Sequence, residues 1–223
     1  MPERGKYIVL EGGDGTGKST QAIMLDGLLR LSGHDTLQTL NDETGHLEPV
    51  QEPGGTPEAN EIRRRIKDKS IARTPWENVE WFTEARKYIW FDAIEPALAS
   101  GKHVITARSW LSTLAYQGYG EGIPIEDIEA YTREHVGEAY MSPDFVAIFA
   151  IKNEKKRRGR LVNRGGDAHQ LDTFESKPPE FQSSMQGGYL QLAADRGIEI
   201  IDAGRPKLRV FRDVLKHVEP LFL

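Results

Sequence analysis

Short apolar runs and longer stretches of helical periodicity alternate along this chain. Residues 7–10 (Tyr-Ile-Val-Leu), 103–106 (His-Val-Ile-Thr), 145–149 (Phe-Val-Ala-Ile-Phe) and 198–201 (Ile-Glu-Ile-Ile) have the length and β-branched content of strands. A further strand fits 36–40, and the polar run 41–46 after it reads as an exposed loop or hairpin. Between the strands, Ala22, Leu25, Leu28 and Leu29 recur at helical spacing, which predicts a helix over 18–31 with Gly33 as its cap. Thr56 and Pro57 are a capping residue and a first helical residue. Helices are predicted over 75–100 (bounded by Gly101), 125–135, 179–196 and 207–217. Such an order calls for a parallel sheet with helices on both faces. The 223 residues show no repeat or low-complexity linker, so one domain over 1–223 is expected.

Composition narrows the picture. The net charge of −5 and pI near 5.7 argue against a general nucleic-acid binder. With no cysteine there is no disulfide framework and no thiolate zinc site. No apolar run approaches the ~20 residues that span a bilayer, and none resembles a signal segment, so a soluble, cytoplasmic protein is expected.

The loop after the first strand carries the clearest chemistry. Gly12, Gly13, Asp14, Gly15, Thr16, Gly17, Lys18, Ser19 and Thr20 fit the Walker A pattern, set between a strand and a helix. Glycines let backbone N–H groups converge on phosphate oxygens, and the helix N-terminus adds partial positive charge. In such a loop Lys18 reaches the β- and γ-phosphates of ATP, and the Ser19 hydroxyl is a ligand for Mg²⁺.

Three further features invite roles. Val79, Phe82, Arg86, Ile89 and Ala93 share one helical face, so an arginine lies among apolar residues. Phe82 and Arg86 either offer an aromatic plate beside a cationic donor, or pack in the core with Arg86 tied to an internal carboxylate. Arg108 follows the carboxyl end of a strand, where anions gather in α/β sheets. Residues 152–164 hold seven basic side chains against one Glu, with Arg157, Arg160 and Arg164 on one face. In an acidic protein with a phosphate loop, a lid closing over triphosphate accounts for that cluster better than a nucleic-acid patch.

With these residues in place, the chain resembles the thymidylate kinases, within the P-loop nucleoside-monophosphate kinase group. The likeness runs through Glu-Pro-Gly-Gly-Thr at 52–56, Glu61-Ile62-Arg63, Phe82 four before Arg86, Arg108, the run Ser-Thr-Leu-Ala-Tyr-Gln-Gly at 112–118, Pro143-Asp144 and the basic lid, about 152–177. It implies an α/β P-loop NTPase fold of three layers with a five-stranded parallel sheet and a small lid. It also implies Mg²⁺- and ATP-dependent phosphorylation of dTMP to dTDP, by a homodimer. Phe82 would stack on thymine and Arg86 bond its edge. Asp14 would meet the sugar 3′-hydroxyl, and Arg108 would hold the acceptor phosphate. Glu52, Pro53, Ser112, Thr113, Tyr116 and Gln117 would line the acceptor pocket. Gly15 stands where some relatives carry an arginine, so Arg160 and Arg164 of the lid would join Lys18 and Arg108 in catalysis.

The chain also departs from the pattern. Ala107 precedes Arg108 where the family has Asp, which leaves Glu11 and Asp14 as the nearest carboxylates in sequence to substitute for it. Gln51, Ala150, Thr173 and Gln186 replace other charged residues, and 41–50 is longer than usual. Two alternatives follow: a kinase of another (deoxy)nucleoside monophosphate, or a nucleotide-binding homologue with little transfer activity.

Overall fold

The computed structural model describes residues 3–153, 155, 157, 159, 160 and 173–223. Strand β1 (Tyr7–Glu11) leads to helix α1 (Lys18–Leu31). A small hairpin follows, β2 (Thr39–Leu40) with β3 (Leu47–Glu48), and then strand β4 (Val50–Gln51). Helices α2 (Pro57–Lys67) and α3 (Pro75–Ile89) come next; a π-helical turn (Trp90–Ile94) joins α3 to α4 (Glu95–Ala99). Strand β5 (Val104–Ala107) enters α5 (Trp110–Thr113) and a π-helical stretch (Leu114–Gly120), followed by α6 (Ile125–His135) and α7 (Glu138–Met141). Strand β6 (Phe145–Ala150), α8 (Pro179–Arg196), β7 (Glu199–Asp202) and α9 (Lys207–Val218) complete the frame.

The main sheet is parallel, in the order β4-β5-β1-β6-β7. Side chains alternate across a strand, so Tyr7 and Val9 join the core beneath α3, α4, α6 and α8, while Ile8 and Leu10 join the one beneath α1 and α9. This burial on both faces explains why β1 reads as an unbroken apolar run. The expected five-stranded parallel sheet with helices on both faces is present.

One edge differs from the expectation. Residues 36–40 do not form the fifth strand of the main sheet; Thr36 makes only an isolated bridge to His103, and Val50–Gln51 supplies the edge. Asp26 of α1 accepts from Thr36 Oγ1 at 2.6 Å and from Gln38 Nε2 at 2.8 Å, which holds this segment to the helix. The chain then folds back through the 41–46 turn into the β2–β3 hairpin.

The helix predicted over 75–100 is continuous in path but not in winding. Pro96 has no N–H to give the Asp92 carbonyl, and the π turn lies just before it. The turn shifts the buried face by one residue, so Ile94 is fully buried while Ala93 is only partly covered.

Candidate active site

The loops leaving the carboxyl ends of β1, β4 and β5 meet around a cavity of about 660 Å³. This is the crevice where strand order reverses about β1, the usual ligand position in open α/β sheets. Asp14, Lys18, Ser19, Glu52, Phe82, Arg86, Arg108 and Gln117 are among its lining residues.

The phosphate loop is tightly built. Gly12, at φ 131°, lies so close to β6 that a Cβ there would sit 2.4 Å from the Phe149 carbonyl oxygen. Lys18 is 6% exposed and donates to Gly13 O at 2.8 Å. Ser19 is half-buried on the first turn of α1, whereas Thr20 is exposed.

Glu11 organises the floor. Its carboxylate accepts from Ser109 N and Oγ, Ser112 N and Oγ, Gly12 N and Tyr189 OH, all within 3.2 Å. One buried charge thereby ties β1 to α5 and α8, and six donors answer the cost of desolvating it. Arg108 leaves β5 in the left-handed region at φ 79°, a strained conformation for a residue with a Cβ. Its guanidinium pairs with Asp14, donates to Tyr116 OH and Ser112 Oγ at 3.2 Å each, and lies 5.2 Å from the Tyr116 ring centroid. Tyr116 OH donates to Asp14 Oδ2 at 2.7 Å. Both carboxylates nearest in sequence to Ala107 are engaged beside it, Glu11 with Ser109 and Ser112 and Asp14 with Arg108.

The Arg86 side of the cavity is equally connected. Arg86 is 2% exposed; Nε donates to Glu52 Oε2 at 3.1 Å, Nη1 to Thr113 Oγ1 and Nη2 to Ser109 O at 2.7 Å each. Glu52 Oε2 also accepts from Tyr140 OH at 2.5 Å, and at 1% exposure the residue is shielded from solvent. Burial, countered in part by the Arg86 charge and the Tyr140 hydroxyl, pushes its carboxyl up to about 7. Arg86 is tied to an internal carboxylate and at the same time lines the cavity beside Phe82, so elements of both readings of the α3 face are present. Phe82 is half-buried in the cavity wall, with Arg86 5.3 Å from its ring centroid. The Phe174 ring packs against it, centroids 5.6 Å apart, and also lines the cavity.

Among the arginines of 152–164, Arg157 reaches the phosphate loop, donating to Asp14 O at 3.1 Å while 3% exposed. Arg160 is helical and half-buried, and Arg164 lies outside the described residues. Sequence reading singled out neither Tyr140 and Tyr189 nor the Glu11 cluster as a unit. The one available signal was a carboxylate ending an otherwise apolar strand.

A parallel sheet with a phosphate loop at its reversal point, an arginine at the end of the adjacent strand and an aromatic-lined cavity between them define a P-loop nucleotide-binding protein of the monophosphate-kinase kind. A family model described as Thymidylate kinase matches residues 10–214. A thymidylate kinase from Pelotomaculum thermopropionicum is 35% identical over 219 residues, covering 97% of this chain and 94% of that protein. One from Dinoroseobacter shibae is 35% identical over 223 residues, covering 98% of each, and one from Chromobacterium violaceum is 32% identical over 221. The chain belongs to the thymidylate kinase family.

Proposed function

We propose that this protein transfers the γ-phosphoryl group of ATP to the 5′-phosphate of dTMP, giving dTDP and ADP. The observation that carries the reading is the convergence, in one cavity, of the phosphate loop, Arg108 and the Phe82–Arg86 pair. Donor and acceptor could be held end to end there, and alignment with charge neutralisation supplies most of phosphoryl-transfer catalysis. Lys18 would move from Gly13 O to the β- and γ-phosphates, and Arg108 would hold the acceptor phosphate. Asp14 and Tyr116 would orient the sugar. Pro53, Ser112 and Thr113 would shape the acceptor side, and Arg160 and Arg164 would cover the triphosphate from the lid.

The residues present fit Mg²⁺ in one mode. Among the described residues no group of three or more His, Asp or Glu could hold a metal unaided. Ser19, however, lines the cavity beside Lys18, and Mg²⁺ at nucleotide sites takes few protein ligands besides phosphate oxygens. Bound there, Mg²⁺ would neutralise charge on the transferring phosphate. No helix among the described residues is long and apolar enough to cross a membrane. A homodimer in the cytoplasm with no nucleic-acid partner completes the proposal, supported by the family likeness and the acidic charge.

The test is ADP release with ATP, Mg²⁺ and a panel of nucleoside monophosphates. dTMP should give the highest kcat/KM; release stimulated only by another monophosphate refutes the acceptor assignment. Binding of ATP and dTMP without release refutes transfer.

A further inference from the structure

Among the described residues, Arg108 is the one non-glycine with a positive φ. In that region Cβ crowds the following carbonyl oxygen, so the conformation persists only where its surroundings impose it. Both peptide groups flanking the Arg108 Cα are held. On the Ala107 side, Arg108 N donates to Leu10 O at 3.0 Å and Ala107 O accepts from Glu52 N at 3.1 Å, which continues the parallel ladders of β1 and β4. On the Ser109 side the ladder has ended, and Ser109 N donates to Glu11 Oε1 instead. The same oxygen accepts from Ser109 Oγ at 2.9 Å and from Ser112 N at 3.2 Å. Glu11 and Ser109 are both buried, so water cannot replace this grip.

The carboxylate is itself fixed. Its other oxygen, Oε2, accepts from Ser112 Oγ at 2.8 Å, Tyr189 OH at 3.1 Å and Gly12 N at 3.2 Å, so Glu11 cannot turn without breaking bonds to α5, α8 and the phosphate loop. We propose that Glu11 keeps Arg108 in the left-handed conformation, and that this conformation aims its guanidinium at Asp14. With the Ala107–Arg108 peptide pinned, a change of φ turns Cβ about the N–Cα bond. It would carry the guanidinium away from Asp14, Tyr116 and Ser112, its present partners. Glu11 is thus a positioning residue acting through the Arg108 backbone. Its bearing on transfer rests on Arg108 holding the acceptor phosphate; its hold on the backbone does not.

One test reads the backbone. Glycine tolerates positive φ and alanine does not, so in urea unfolding the folding equilibrium constant of Arg108→Gly should exceed that of Arg108→Ala about tenfold. In a Glu11→Ala background that ratio should fall to one or below. In Glu11→Gln, whose amide oxygen can still accept from Ser109 N, it should be retained. Equal stability of the two variants at 108, or a ratio as large in Glu11→Ala as in the parent, overturns the inference. The first comparison needs only changes at 108, and Glu11→Asp, one methylene shorter, takes the place of Glu11→Ala should the latter not fold. A second test reads transfer at saturating ATP. Glu11→Ala should lower kcat/KM for dTMP about tenfold or more, Glu11→Gln should lower it less, and in an Arg108→Ala background Glu11→Ala should lower it no further. An equal loss in that background overturns action through Arg108. If the unaltered protein phosphorylates no nucleoside monophosphate, the kinase reading falls, and the unfolding comparison still decides whether Glu11 holds the backbone.

Discussion

The guanidinium of Arg86 and the carboxylate of Glu52 face each other at 3.1 Å, with side chains 2% and 0% exposed. Replacing a buried pair by apolar residues can be neutral, but removing one member strands the other charge. Glu52→Ala should therefore destabilise the protein by about 3–5 kcal/mol, read from urea unfolding, and should weaken dTMP binding because Arg86 loses its anchor. A loss below about 1 kcal/mol would show that solvent reaches the pair.

The same carboxyl sets a pH dependence. Its value rises from 4.5 to about 7 on folding. Between these values the unfolded chain has lost the proton that the folded chain keeps, so this group's contribution is fully present at low pH and is lost as pH rises through about 7. Glu52→Gln, whatever its effect on absolute stability, should remove a fall in unfolding free energy of on the order of 3 kcal/mol across that window. Parallel pH profiles for the two proteins would rule this out.

Phe82 lines the cavity while also packing against the edge of the core beneath α3. Phe82→Ala should weaken dTMP binding by about 1–3 kcal/mol through lost stacking, with ATP affinity nearly unchanged in titration calorimetry. Equal losses for both ligands would mean the ring is a packing element instead.

Ala107 is 3% exposed and borders the cavity beside Arg108, so its own side chain contributes no charge there. Ala107→Asp should raise kcat roughly tenfold if charge placed there helps align the phosphates, and should lower the Mg²⁺ concentration for half-maximal rate. An unaltered kcat and Mg²⁺ response would show that the rest of the site has compensated.

Gly12 leaves no room for a side chain. Gly12→Ala should cost about 1–3 kcal/mol by overpacking and should depress ATP binding as the loop moves off β6. A variant with the parent's unfolding midpoint and ATP affinity would contradict the 2.4 Å approach.

Much of this protein was legible in its sequence because the deciding forces were local. The unbroken apolar run of β1 announced a strand buried on both faces, Thr56-Pro57 began α2, and the glycine-rich loop needed only its own spacing to identify a phosphate cradle. The edge of the sheet was not legible: whether 36–40 or 50–51 fills it depends on Asp26 holding Thr36 and Gln38, a contact across 10 to 12 residues. The winding at Trp90–Ile94 was hidden for a similar reason, since periodicity assumes a constant helical pitch.

Phe82 and Arg86 share a helical face by sequence alone, but sequence could not say what lay opposite the arginine. Glu52 and Tyr140, 34 and 88 residues apart from their partners in these bonds, are brought there only by the packing of α3 and α7 over the sheet. Sequence by itself determined four strands of the main sheet, most helices, the phosphate loop and the family. The tertiary structure alone decided which charges are neutralised and which guanidinium reaches the loop. Backbone periodicity and turn chemistry act over a few residues; the polarity and burial of a side chain are set by neighbours that only the complete fold supplies.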